Sequence, residues 1–166
     1  MTRRTQILLG IAVLLLQLFL SEFLAIRQIR PDFLLIFVLY VSILEGSLAG
    51  VIVGFVAGLL QDVLSAGSLL GLAPLTKSIT GFLVGRLQGQ FPRMNPIVFH
   101  VLWIGILLFH FAMALFVRLQ TLFDTSPALF WKTWALTVLY TLVFIVILQL
   151  IVPLPRLAGS STEERR

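Results

Sequence analysis

From Pro96 to Val117 the chain carries no charged side chain. A run of that length is what an α-helix needs to cross the hydrocarbon core of a bilayer, about 20 residues at about 1.5 Å each. The run is one of six. Apolar segments recur at 6–26, 32–44, 46–64, 71–87, 95–119 and 128–152. Prolines mark several boundaries, at Pro31, Pro92, Pro96, Pro127, Pro153 and Pro155, where a residue without an N–H is tolerated.

Composition agrees with the segmentation. Of the 166 residues 59% are hydrophobic and 11% charged, and the mean hydropathy is +1.07. A soluble domain is roughly 45–50% apolar and about 25% charged, so this chain is an integral membrane protein. Backbone amides cannot face lipid unpaired, which leaves helices or a closed barrel. The ten-residue alternating segments of a barrel do not occur. The expected fold is therefore all-α and polytopic: six transmembrane helices in a single domain over 1–153, then a short tail at 154–166. The tail ends STEERR and is expected to be disordered.

The first segment follows Arg3 and Arg4 as a signal peptide would. Its apolar run continues to Ile26 without a small-residue cleavage pattern, so it reads as a retained span. With six spans, both termini share a side with the loop around Arg86 and Arg93. That side also holds Arg3, Arg4, Arg156, Arg165 and Arg166. The other side holds Arg27, Arg30, Arg118 and Lys132, diluted by Asp32 and Asp124. The positive-inside rule then places both termini in the cytoplasm, with Arg27 and Arg30 pulling weakly the other way.

Cysteine is absent, which excludes disulfides and thiolate metal sites. The formal charge of +5 lies at the ends and in short connections, where it sets orientation and meets anionic lipid. It leaves no solvated basic surface for nucleic acid. His100 and His110 lie on different faces of the fifth segment without a carboxylate at ligand spacing, so no metal site is expected. Trp103, Trp131 and Trp134 suit interfacial anchoring or packing. The chain has no nucleophile–base–acid grouping, no phosphate-binding loop and no H-E-x-x-H. Neither catalysis nor a cofactor is expected.

Within the third segment, Gly46, Gly50, Gly54 and Gly58 recur at every fourth position. In water each would cost about 1 kcal/mol against alanine. In lipid, helices associate through close backbone contact, and small residues permit it. Residues four apart drift by only about 40° on a helix, so the four line a shallow groove about 18 Å long. Two occupants remain open from the sequence: a neighbouring span of the same chain, or a helix of a partner.

Asp62 ends the same segment, and Lys77 lies inside the fourth. Counted from the turn between them, the two are at similar depth, and charges at membrane depth are costly unless paired or near the interface. The expectation is an Asp62–Lys77 pair or a snorkelling Lys77, with a ligand site or a contact to a partner helix as the alternatives. Arg30, Pro31 and Asp32 form a reversal: proline stops the first helix, and Asp32 is placed to cap the second.

The run RPDFLLIFVLY, then SLAGVIVGFVAGLLQDVLS, then GLAPLTKSITGFLVGRL, resembles the rod shape-determining protein MreD family. The residues carrying the likeness are Arg30, Pro31 and Asp32; Gly50, Gly54, Gly58, Leu59 and Asp62; and Gly81, Gly85 and Arg86. It is close from Arg30 to Leu87, while the last two segments match in length and hydropathy. The resemblance implies a six-helix, non-catalytic scaffold of the bacterial inner membrane, in the machinery that elongates rod-shaped walls. It implies binding of MreC, and through MreC a connection to MreB and cell-wall synthases. It further implies the fold of the substrate-binding S components of energy-coupling-factor vitamin transporters. Such an S component is the alternative function. It would present small-x-x-x-small on its first span, whereas here Leu14 follows Gly10 and Leu16 follows Ala12. A vitamin pocket would also need several convergent polar groups.

Overall fold

The computed structural model describes residues 12–13, 17, 23–24, 29–64 and 69–151. Most of the first segment, residues 65–68 and the tail at 154–166 lie outside them, as do Arg3, Arg4, Arg27, Arg156, Arg165 and Arg166. The described residues form six α-helices: α1 (Phe33–Glu45), α2 (Ser47–Leu64), α3 (Leu72–Gly85), α4 (Pro96–Arg118), α5 (Gln120–Thr125) and α6 (Pro127–Ile151). A single 3₁₀ turn, Phe91–Arg93, precedes α4.

Five of these helices match the second to sixth apolar segments. The sixth, α5, is a single extra turn and a half between α4 and α6 that hydropathy does not mark. Among the described residues, Ser47–Leu64, Pro96–Arg118 and Pro127–Gln149 are long and apolar enough to cross a membrane, and Phe33–Glu45 is a shorter apolar helix.

The breaks follow local chemistry. Asp32 stands at the N-cap of α1 and its Oδ1 accepts the N–H of Leu35 at 2.8 Å, as the R-P-D reading expects. Gly46 separates α1 from α2 with φ of +90°, a conformation in which a Cβ is strained. Asn95 caps α4 through Ile97 N–H at 2.9 Å, and Pro96 occupies the first turn, where its missing N–H costs nothing.

Helix α1 occupies the centre. Nine of its thirteen residues are buried, so it is apolar all round, as a helix enclosed by neighbours must be. On one side Leu34 and Val38 meet Ala57 of α2. On the other, Leu35, Leu39 and Ile43 join Val84 of α3, Phe99, Trp103, Leu107 and Phe111 of α4, and Val138 and Ile145 of α6. The closest association of two elements is the α2–α3 hairpin.

Candidate functional site

The glycine stripe packs inward. Three of its four members, Gly50, Gly54 and Gly58, are buried and face α3, whereas Gly46 is not on the stripe's helix but closes α1, where a Cβ would meet the Gln88 side chain. A Cβ on Gly50 would strike the Gly81 carbonyl, one on Gly54 the Lys77 carbonyl at 2.5 Å, and one on Gly58 the backbone of Ala73 and Pro74. The fit is reciprocal: a Cβ on Gly81 would strike Gly50, and one on Gly85 would strike Ser47. The two helices are thus in backbone contact along their length, the geometry small residues permit in lipid. Of the two occupants open to the sequence, the groove holds a neighbouring span. The fourth-segment motif Gly81–Gly85 is the other half of the same contact. Arg86 follows it at the helix end, its guanidinium 5.5 Å from the centre of the Phe82 ring, within cation–π range.

The charges are arranged differently from the sequence expectation. Lys77 is 1% exposed, and its Nζ lies 2.5 Å from Asp32 Oδ2. It pairs with Asp32, and not with Asp62. The physical reason lies in what each carboxylate faces. Asp62 points at the start of α3, where its Oδ2 accepts Gly71 N–H at 2.8 Å and Ala73 N–H at 3.3 Å. The N-cap residue there is Gly71, which has no side chain to offer and sits at φ +98°. Asp62 therefore caps α3 from the neighbouring helix, where first-turn amides attract a carboxylate. Asp32, expected only as a cap, does two jobs: Oδ1 caps α1 and Oδ2 receives the lysine. A lone Lys77 here would be strongly destabilising, and Asp32 offsets part of that cost.

Around this pair lies a buried polar cluster that sequence reading missed. Thr76, Thr80 and His110 are each at most 2% exposed. The Thr80 hydroxyl donates to the Thr76 carbonyl at 2.8 Å, so its oxygen accepts from His110 Nδ1 at 2.8 Å. The Thr76 carbonyl, 3.3 Å from the same nitrogen, can only accept, which places the imidazole hydrogen on Nδ1. The spacing of Thr76 and Thr80, four apart on one face, was the available signal. Gln17 is the other omission. Its Oε1 accepts Phe33 N–H at 2.7 Å and Leu34 N–H at 3.4 Å, and its Nε2 donates to the Pro31 carbonyl at 3.4 Å. One amide of the first segment thereby grips the whole Pro31–Leu34 corner.

The remaining candidates separate. His100 bonds its own helix, Nδ1 to the Pro96 carbonyl at 2.7 Å, while His110 is in the core. Trp103 is buried and Trp131 is half-exposed. No group of three or more metal-ligating side chains occurs among the described residues. Arg30 is exposed at the corner and Pro31 is buried beneath it.

No curated protein and no solved structure matches the chain. A family model does, over residues 1–153. With the R-P-D corner, the glycine interlock and the capping Asp62 all inside that span, the chain belongs to the rod shape-determining protein MreD family.

Proposed function

We propose that this protein is a non-catalytic scaffold of the bacterial inner-membrane complex that elongates rod-shaped cell walls. It holds the membrane helix of MreC and the segment next to it, and through MreC it is joined to MreB and the wall synthases. Both termini lie in the cytoplasm. The observation that carries this reading is the way α1, α2 and α3 lock together. The glycines of α2 and α3 meet backbone to backbone, Asp32 and Asp62 tie α1 and α2 to α3, and His110 ties α4 to it. A unit so fixed internally suits a part that orients another protein more than one that opens and closes around a small substrate.

Because α3 fills the glycine groove, the MreC helix would sit against the lipid-facing surface of the bundle. Contacts there are apolar, so fit and shape decide the association. The R-P-D corner, braced by Gln17, is the rigid part nearest the loops that would meet the first extracytoplasmic residues of MreC.

The test is co-purification in mild detergent with tagged MreC from the same organism, beside a pull on the energising module of a vitamin transporter. Retention of MreC is expected. Loss of MreC together with recovery of the transporter module would replace the scaffold by an S component.

A further inference from the structure

Helix α3 is a poor membrane span on its own terms. It has 14 residues, LAPLTKSITGFLVG, and so measures about 21 Å against a hydrocarbon core of about 30 Å. Like α1 it is too short to be among the described helices that are long enough to cross, and unlike α1 it is not among the shorter apolar helices either. Leu72, Leu75, Ile79, Phe82, Leu83 and Val84 are its larger apolar side chains. On membrane-insertion scales six such residues do little more than offset one central lysine. Pro74, Thr76, Ser78 and Thr80 then remain uncompensated.

A counter-charge, a cap and a close-packing face for α3 are supplied by helices that precede it in the chain. Asp32, at the start of α1, receives Lys77 Nζ. Asp62, at the end of α2, accepts the amides of Gly71 and Ala73. Gly50, Gly54 and Gly58 of α2 provide a bed into which the α3 backbone fits. Both α1 and α2 are apolar helices without an internal lysine or arginine.

We propose that α3 does not insert by its own hydrophobicity but is drawn into the bilayer against a template of α1 and α2, with Asp32 as the receptor for Lys77. The ion pair then acts during assembly as well as in the finished bundle. It makes the crossing of the fourth segment conditional on the second and third being in place. An asymmetry follows. Removing the Asp32 charge leaves an uncompensated lysine in a span that was already marginal. Removing the Lys77 charge makes α3 more apolar and leaves Asp32 at a helix N-terminus, where a carboxylate is tolerated.

The test is topology mapping of the full chain translated into inner-membrane vesicles. The sequence has no cysteine, so Leu70→Cys and Pro92→Cys, placed singly, report the two ends of α3 to a membrane-impermeant maleimide. Both positions are exposed. In the parent and in Lys77→Met the two cysteines label from opposite sides. In Asp32→Asn the ratio of inserted to uninserted α3 is expected to fall by on the order of 100-fold, so that both cysteines label from one side. The double variant Asp32→Asn with Lys77→Met restores opposite-side labelling. Opposite-side labelling in Asp32→Asn alone would overturn the proposal, because α3 would then insert without its receptor. Same-side labelling in the double variant would overturn it too, because the role of Asp32 would not be to meet the lysine.

Discussion

A single methyl group at Gly54 should loosen the whole bundle. Its Cβ would lie 2.5 Å from the Lys77 carbonyl oxygen, 2.7 Å from the carbonyl carbon and 3.0 Å from Ser78 N. All three are backbone atoms, and none can swing aside. Ordinary contact needs about 3.5 Å or more, so α2 and α3 must separate by about 1 Å. A gap of that size forfeits a quarter to a half of each dispersion contact. If the hairpin interface holds roughly 40 atom pairs at about 0.15 kcal/mol, the loss is about 1.5–3 kcal/mol. Replacing a helical glycine returns up to about 1 kcal/mol. The net expectation for Gly54→Ala is a destabilisation of about 0.5–2 kcal/mol, or a fall in Tm of about 1–8 °C for a chain of this size.

The assay is thermal unfolding in detergent, with Gly105→Ala as the internal control. Gly105 lies in α4, and a Cβ there meets nothing within 4 Å, so that variant should match or exceed the parent. Gly50 and Gly81 supply a second check, since each would strike the other's backbone. Once either Cβ has pushed the helices apart, the other costs less, and the double alanine variant should lose less than the sum of the singles. Gly54→Leu should prevent folding altogether. A Gly54→Ala protein as stable as Gly105→Ala, or strict additivity at Gly50 and Gly81, would refute the backbone-contact account.

Asp62 and Gln17 give two further predictions. Asp62→Asn keeps an oxygen for the amides of Gly71 and Ala73 and should lower stability little, whereas Asp62→Ala should cost about 1–2 kcal/mol by unfolding in detergent. An equal loss in both would mean that the charge, and not the cap, is what α3 requires. Gln17→Glu keeps the acceptor for Phe33 and Leu34, and Gln17→Leu removes every contact at that corner. The leucine variant should therefore be the less stable by about 1–3 kcal/mol in the same assay, in spite of being the more apolar; the reverse order would remove Gln17 from the account of how α1 begins.

Much of the bundle was legible because membrane helices are bounded by simple chemistry. Segments at 95–119 and 128–152 became helices Pro96–Arg118 and Pro127–Ile151, since proline and polar residues end an apolar run unambiguously. Asp32 was legible as a cap from its place after proline, and the glycine stripe as a close contact from its period. Partnership was not legible. Lys77 and Asp62 looked matched because depth along one hairpin is a one-dimensional measure, and it cannot see that α1 crosses the same level from the side. Asp32 is 45 positions from Lys77, and nothing local in either segment records their meeting. Gln17 and His110 were hidden for the same reason. A lone polar residue in an apolar run declares that it needs a partner without saying which. The short α5 was missed because hydropathy does not distinguish a helical turn from a loop between two spans.

The same physics bears on where partner recognition can reside. Lipid gives apolar side chains no reason to prefer one another, so a membrane bundle must fix its own arrangement with backbone contacts and polar bonds. Here those devices are Gly50, Gly54, Gly58 and Gly81, the Asp32–Lys77 pair, the Asp62 cap and the His110–Thr80 bond. All but His110 and Thr80 are also the residues a reader of the sequence would choose as a binding site. Since the fold already engages them, on the scaffold reading they act on a partner by holding the bundle's shape. The outer surface is left with side chains such as Leu48, Ile52, Phe55 and Val63 of α2, all more than half exposed. On the scaffold reading, changes at the glycine and charge motifs lower the amount of folded protein and lose the partner in proportion. Specific loss of the partner with the fold intact requires changes in apolar outer residues that no motif marks.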